Sequence, residues 1–124
     1  MKPIATDHAP GAIGPYSQAT KTTGLVFVSG QLPIDPATGE MPDDIKAQTR
    51  QSLTNAEAIL EAAGTGMDKV LKTTVFLADI NDFAAMNEVY GTFFIEGAYP
   101  ARSAVQVAAI PKGAKVEIEM IAEA

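Results

Sequence analysis

Two glutamates near the carboxyl end of the chain are spaced as a proton-transfer group would be. Valine, isoleucine and methionine occupy every second position of the segment Lys115–Ala122, with Glu117 and Glu119 between them. Because a β-strand has a two-residue period, both carboxylates lie on the face opposite the apolar set. Two interpretations remain open. The glutamates keep an outer face hydrated, or one of them is a general acid or base on a polar but covered surface.

A single arginine is placed where it could bind a carboxylate. Arg102 opens a predicted strand directly after Tyr99-Pro100-Ala101. A rigid approach of this kind can hold a guanidinium fork beside a cleft, where it matches a carboxylate with two parallel hydrogen bonds. An exposed strand-end arginine in a weak surface ion pair fits the pattern equally well. The pattern alone does not choose between them.

Several other polar positions lie where they could line a pocket. Tyr16 follows a Gly-Pro turn, and Ser29 and Gly30 end an apolar strand. A hydroxyl or backbone N–H at such a place can point into a site, although turn residues are often purely structural. Asn87 falls within a predicted helix, where a solvated polar residue is also common. His8 is the only histidine, and without cysteines it cannot assemble an ordinary zinc site.

The composition and the absence of certain motifs exclude several classes of function. The motifs G-x-G-x-x-G, G-x-x-x-x-G-K-[ST] and G-x-S-x-G are absent, which removes dinucleotide, P-loop and nucleophile-elbow interpretations. The net charge of -6 repels a nucleic-acid backbone. With no cysteine there are neither disulfides nor thiol nucleophiles. The start of the chain lacks the apolar run of an export signal, and no apolar stretch approaches the roughly 20 residues of a membrane span, so we expect a cytoplasmic protein.

The elements that position these residues can be predicted from periodicity. A hairpin of two strands is predicted at Tyr16–Lys21 and Gly24–Ser29. A surface loop is predicted to follow it at residues 33–39. A helix is predicted for Asp43–Ala63, with its first residue as a candidate cap and Gly64 as its end. A second helix runs from about Asp82 to Phe94 and is capped by Asn81 or by its own first residue.

Three further strands complete the predicted order. They are Lys69–Leu77, Arg102–Ala109 and Lys115–Ala122, and the last two are joined through residues 110–114. Strict alternation in the first of them places Leu71 on the same face as Val75. No repeat or composition shift marks a domain boundary. The order ββαβαββ predicts one α+β domain in which two helices cover one face of a mixed sheet.

Long blocks of the chain resemble the Rid family (reactive intermediate deaminase, or YjgF family), specifically its RidA branch. The resemblance is nearly end to end and is carried by AIGPYSQA (12–19), VSGQLPIDPATGE (28–40), QTRQSLTNAEAILEAAG (48–64), KTTVFLADINDFAAMNEVY (72–90) and YPARSAVQVAAIPKGAKVEIEMIA (99–122). It implies a single Rid-type domain over residues 1–124, chorismate-mutase-like in fold and assembled into a homotrimer with clefts between subunits.

The resemblance also implies an activity and a set of site residues. The activity is that of a 2-iminobutanoate/2-iminopropanoate deaminase, which hydrolyses the enamines and imines released by pyridoxal-phosphate-dependent dehydratases to 2-oxo acids and ammonia, with no metal or organic cofactor. In such proteins the arginine of the PARS segment, here Arg102, anchors the substrate carboxylate. The first glutamate of the closing strand, here Glu117, transfers protons to and from the attacking water. The corresponding cleft-lining residues here are Tyr16, Ser29, Gly30 and Asn87.

One departure and two rival functions accompany the resemblance. Ala104 stands where many relatives have a cysteine, so thiol-dependent behaviour is not expected here. An endoribonuclease activity is attached to the family name, and the net charge of -6 counts against it. The other rival is a holdase or a protein that binds 2-oxo acids without turnover.

Strand geometry adds an expectation about assembly. If the last two strands form a simple hairpin centred near Lys112, Glu117 lies opposite about Val107, five residues from Arg102. At about 3.3 Å per residue this is roughly 17 Å, too far for both groups to hold a three-carbon substrate within one protomer. We therefore expect the pair to meet across a subunit interface.

Overall fold

A six-stranded mixed sheet forms the centre of the computed structural model, which describes all residues, Met1–Ala124. Its strands are β1 Lys2–Ile4, β2 Ala19–Lys21, β3 Leu25–Gln31, β4 Val70–Leu77, β5 Ala101–Gln106 and β6 Val116–Glu123. Their spatial order is β1-β2-β3-β6-β4-β5. All neighbours are antiparallel except β4 and β5, which are parallel.

Two helices, α1 (Ile45–Ala62) and α2 (Phe83–Tyr90), cover one face of this sheet. Apolar side chains from both layers fill the space between them, including Leu53, Ile59, Leu60, Val75, Met86, Val116 and Ile118, all 0% exposed. We call this side the helix-covered face and the other side the open face. The predicted α+β architecture, with two helices on one face of a mixed sheet, is confirmed. No helix is both long and apolar enough to cross a bilayer.

Helix α1 begins and ends close to the predicted positions. Its N-cap is Asp44, whose carboxylate accepts a hydrogen bond from the Ala47 N–H at 3.2 Å, so the predicted cap at Asp43 is wrong by one residue. Gly64 follows the helix with a φ of +86°, a left-handed conformation that favours glycine, as predicted. Lys21 adds a bond from its ammonium to the Ala63 carbonyl at 2.8 Å.

Helix α2 is shorter than predicted. The predicted range divides into a 3-10 turn at Ile80–Asp82, the α-helix itself, and a second 3-10 turn at Gly91–Phe93. Asp82 occupies the N-cap position but its side chain makes no capping bond. Asp79 accepts from the Asn81 N–H at 2.9 Å instead, so neither predicted cap acts through its side chain.

The amino-terminal strands differ from prediction at their ends. The strand expected from Tyr16 begins only at Ala19, and residues 16–18 belong to a loop. The first residues contain β1, which pairs with β2. The predicted hairpin of β2 and β3 is confirmed. An irregularity between Val28 and Gln31 in the pairing with β6 then displaces the end of β3.

The predicted hairpin of the last two strands is wrong. β5 lies at the sheet edge beside β4, and β6 lies between β3 and β4. The physical reason is α2, because a helix joining β4 to β5 is the crossover that parallel strands need. Strand β4 therefore separates the strand of Arg102 from the strand of Glu117.

A bulge in β4 corrects the predicted alternation. Val70 pairs with Ala122 and Lys72 with Ile121, so one extra residue is accommodated between them. As a result Val70 is buried, whereas Leu71 is 44% exposed and does not share the buried face with Val75. In β6 the alternation is regular, and both glutamates lie on the open face as predicted.

Candidate active site

Two clefts contain the residues that the sequence singles out, and they lie on opposite sides of the sheet. The arginine cleft, of about 430 Å³, is lined by Asn87, Tyr90, Gly91, Tyr99, Pro100 and Arg102. The glutamate cleft, of about 590 Å³, has a lining that includes Tyr16, Ser29, Gly30, Lys112 and Glu117. Asn87 is thus grouped with Arg102, and the other predicted residues are grouped with Glu117.

The guanidinium of Arg102 is held against α2 without an acidic partner. Arg102 is the register partner of the buried Thr73 on the neighbouring strand β4. The Arg102 side chain therefore points to the helix-covered face, as that of Thr73 does. Its Nη1 donates to Asn87 Oδ1 at 2.7 Å, and its Cζ lies 4.7 Å from the centre of the Tyr90 ring. The only salt bridge in the molecule is Lys46–Glu88. The charge of Arg102 is therefore uncompensated by any carboxylate of the chain.

Asn87 supplies a second donor beside this arginine. A guanidinium can only donate hydrogen bonds, so the amide oxygen of Asn87 must face Arg102 and the NH₂ must point elsewhere. The Asn87 NH₂ has no acceptor within the chain, and neither have Nη2 and Nε of Arg102. Several converging donors without acceptors are the arrangement that binds a carboxylate.

Glu117 occupies the open face of β6, opposite Phe76 of β4. Partial burial raises the pKa of the Glu117 carboxyl, and the nearby charge of Glu119 raises it further. A carboxyl group with a raised pKa is a better base when ionised and carries a proton closer to neutral pH. The arrangement can therefore take a proton from water and return it.

Gly30 provides the space in which the Glu117 side chain lies. A Cβ at position 30 would be 2.9 Å from Cδ of Glu117 and closer still to a carboxylate oxygen. Any larger residue would displace the carboxylate. Gly30 thus contributes to the cleft by its lack of a side chain.

Ser29 and Tyr16 shape the same cleft. The Ser29 hydroxyl donates to the Ser17 carbonyl at 2.6 Å, and the Ser29 N–H donates to the Gln18 carbonyl at 2.9 Å. The hydroxyl therefore fixes the loop before β2. Tyr16 is 51% exposed, and its hydroxyl accepts from the Ile13 N–H at 3.3 Å. Its ring lines the cleft wall.

Gln18 and Lys112 are among the lining residues that sequence reasoning did not single out. The buried Gln18 accepts from the Thr6 N–H at 2.7 Å and donates to the Pro10 carbonyl at 2.7 Å, which holds the amino-terminal segment as a wall of the glutamate cleft. Lys112 brings an ammonium to the same cleft from a turn in which its φ is +59°. The Pro-Lys-Gly turn was a usable signal for Lys112, whereas no local pattern identifies Gln18.

Arg102 and Glu117 do not meet within one chain. Arg102 is level with Thr73, and Glu117 is level with Phe76, three residues further along β4. Two strand spacings and three residues put their backbones about 14 Å apart. The side chains also point to opposite faces of the sheet. Each cleft therefore holds one half of the predicted constellation.

Comparisons with known proteins extend over almost the whole chain. Residues 6–124 match the sequence model of the family described as endoribonuclease L-PSP. The 2-iminobutanoate/2-iminopropanoate deaminase of Escherichia coli K12 is 53% identical over 123 residues, which are 98% of this chain and 96% of that protein.

Solved structures of Rid-type proteins agree with these sequence comparisons. The crystal structure of E. coli TdcF with bound serine has a TM-score of 0.95 at 50% identity and covers 100% of this chain and 99% of that chain. The structure of RidA from an Antarctic Psychrobacter species has a TM-score of 0.96 at 50% identity, and the match covers both chains completely. The architecture of this chain is therefore the one found in these proteins.

Proposed function

Since the chain belongs to the reactive intermediate deaminase (Rid, or YjgF) family, we propose that it hydrolyses 2-iminobutanoate and 2-iminopropanoate to 2-oxo acids and ammonia. The observation that carries the proposal is Arg102, a half-buried arginine with an amide beside it and no acidic partner. A small substrate with a carboxylate next to its reacting C=N bond fits such a donor set. The relative at 53% identity is named for this same reaction.

The complete site forms between subunits of a homotrimer. The opposite directions of Arg102 and Glu117 support this assembly, since one protomer cannot bring both to a three-carbon substrate. The open face of the sheet, where Phe27 and Val105 are each 45% exposed, also supports it because large apolar side chains there lack a cover. Arg102 comes from one subunit and Glu117 from its neighbour.

The reaction follows from this pairing. Arg102 and the Asn87 NH₂ bind the carboxylate and so fix the imine carbon. Glu117 takes a proton from water as the water oxygen bonds to that carbon, and the C=N electron pair moves to nitrogen. The proton then passes to nitrogen and gives a carbinolamine. Glu117 next takes the proton of its hydroxyl group as the carbonyl forms, and this second proton passes to nitrogen as the C–N bond breaks and ammonia leaves. A positioned proton transfer of this kind contributes about 10²–10⁴-fold in rate.

The remaining predicted residues complete the cleft. Gly30 gives Glu117 its space and Ser29 fixes the adjoining loop, while Tyr16 closes the cleft against the neighbouring subunit. Residues 1–124 act as one Rid-type domain in the cytoplasm. A pyridoxal-phosphate-dependent dehydratase supplies the substrate, because elimination from serine or threonine releases the enamines that tautomerise to these imines.

A coupled assay tests the function directly. A dehydratase generates 2-aminoacrylate in the presence of semicarbazide, which traps the imine, and the protein should lower the yield of trapped product. The variant Arg102→Ala should not. Wild-type protein that leaves trapping unchanged would overturn the deaminase proposal. A wild type that binds 2-oxobutanoate under the same conditions would then be a binding protein without turnover.

The family description favours a ribonuclease as the second candidate. The net charge of -6 opposes it, since RNA binding relies on neutralising phosphates. RNA affinity measured at two salt concentrations, on protein freed of contaminating nuclease, tests this candidate. Salt-sensitive binding with cleavage would support it.

A further inference from the structure

One stripe of α2 surrounds the guanidinium of Arg102. Phe83, Asn87 and Tyr90 are spaced i, i+4 and i+7, so they share a helix face. Asn87 accepts the hydrogen bond from Nη1, and the Tyr90 and Phe83 ring centres lie 4.7 and 5.4 Å from Cζ. The arginine thus has two aromatic neighbours where proteins often place a carboxylate.

Tyr90 is the more firmly held of the two rings. It is 5% exposed, and its hydroxyl is 2.7 Å from the hydroxyl of Thr73, which is itself 0% exposed. The ring of Phe94 packs against it at a centroid distance of 4.8 Å. A tyrosine phenol is neutral at physiological pH, and burial raises the pKa of Tyr90 further. Its interaction with Arg102 is therefore that of a cation with an aromatic face.

An aromatic neighbour affects the arginine differently from an acidic one. A carboxylate would occupy N–H donors and neutralise the charge, whereas a ring face attracts the cation and leaves the donors free. Within the chain Nη1 of Arg102 bonds to Asn87 and contacts Met86 Sδ at 4.0 Å, and Nη2 and Nε have no acceptor.

We infer that Tyr90 is a positioning residue for substrate binding, whose ring holds the Arg102 guanidinium in the orientation that presents its free donors to the substrate carboxylate. The inference rests on the proposed function. It assigns to the hydroxyl of Tyr90 a supporting role, since the bond to Thr73 fixes the ring. Phe83, which is further from Cζ and 37% exposed, contributes less.

The experiment compares Tyr90→Leu, Tyr90→Phe and Phe83→Leu with the control Phe93→Leu, which removes a partly buried ring that is not stacked on Arg102. Dissociation constants for 2-oxobutanoate and the KM and kcat for the imine are measured for each. Tyr90→Leu should raise Kd and KM about tenfold, the scale of one desolvated cation–π contact, with kcat little changed. Tyr90→Phe and Phe83→Leu should each cost about threefold or less, and Phe93→Leu should match wild type.

A spectroscopic signature reports on the arginine without turnover. The chain has only two arginines, Arg50 and Arg102, so their Nε–Hε resonances can be assigned with Arg102→Ala. The aromatic faces should shift the Arg102 signal upfield of Arg50, and Tyr90→Leu should remove most of that shift. If Tyr90→Leu does not fold, the wild-type signal carries the test, because an Arg102 resonance that is not shifted upfield of Arg50 would overturn the contact with the ring face.

The outcomes separate the two proposals. The positioning role would be overturned by any of three results. They are an unchanged affinity of Tyr90→Leu for 2-oxobutanoate, an equal loss of affinity in Phe93→Leu, and an affinity of Tyr90→Phe as low as that of Tyr90→Leu. A wild type that binds 2-oxobutanoate but hydrolyses no imine would overturn the proposed function alone. A wild type that does not bind 2-oxobutanoate would overturn both.

Discussion

The carboxylate of Glu117 fills the space that a side chain at Gly30 would need. Gly30→Ala should therefore push the carboxylate out of position and lower kcat, with little loss in the free energy of unfolding, because the displaced atoms are the end of a flexible side chain. Turnover in the trapping assay and chemical denaturation measure the two effects. Gly24→Ala is the matched control, because a Cβ there meets nothing within 4 Å. Equal activity in the two variants would show that Glu117 tolerates displacement.

Arg102→Lys should lose activity while the fold is kept. A lysine keeps the charge but cannot present a planar fork to a carboxylate, so we expect a fall of about 10²-fold in kcat/KM. Arg50→Lys, the same change at an exposed position on α1, should leave kcat/KM at the wild-type value. Near-wild-type turnover by Arg102→Lys would contradict the anchoring role.

The two glutamates of β6 should differ in their effect on rate. Glu117 is partly buried in the cleft, whereas Glu119 is exposed on the same face. We expect Glu117→Gln to lower kcat by about 10²-fold or more while sparing 2-oxobutanoate binding, and Glu119→Gln to have a small effect. Equal losses of kcat in the two variants would mean that proton transfer has been assigned to the wrong carboxylate.

Stability should depend on pH through Glu117. Its carboxyl has a raised pKa in the folded protein, so the folded state holds this proton more tightly than the unfolded state does. That contribution is present at low pH and is lost as pH rises through the folded pKa. Glu117→Gln should therefore gain thermal stability relative to wild type as pH rises above the ordinary glutamate range. A melting-temperature difference that is constant from pH 4 to 8 would contradict the raised pKa.

Mixed assembly should restore activity to two inactive parents. Arg102→Ala and Glu117→Ala protomers, unfolded and refolded together at equal amounts, should regain about a quarter of wild-type activity. In a random three-site ring each site has about one chance in four of receiving both intact groups. Tagged protomers establish that mixed trimers form. If such trimers are as inactive as their parents, the site is not shared between subunits.

Much of the fold was predictable because it is set by local patterns. The apolar spacing of α1, its end at Gly64 and the alternation in β6 each depend on neighbouring residues, and all three predictions are confirmed. The cap was assigned one residue early because two aspartates stand side by side at 43 and 44, and only the backbone conformation shows which one accepts the Ala47 N–H.

The errors concern relationships between distant parts of the chain. The partner of β5 depends on where α2 places that strand, and a short connection at residues 110–114 looks locally like a hairpin. The bulge that exposes Leu71 depends on pairing with β6. In the site, the grouping of Arg102 with Asn87 and of Glu117 with Gly30 required the three-dimensional structure, as did the role of Gln18 in holding the wall of the cleft.

The placement of the two clefts on different faces has an evolutionary consequence. The residues around Arg102 belong to α2, β5 and the loop between them, whereas those around Glu117 belong to the amino-terminal segment, β3, β6 and the turn at Lys112. If the proposed function holds, substitutions in the first set alter which substrates are accepted and leave the proposed proton-transfer group, Glu117, undisturbed. Substrate range and reaction chemistry can thus diverge separately among the descendants of one ancestral gene.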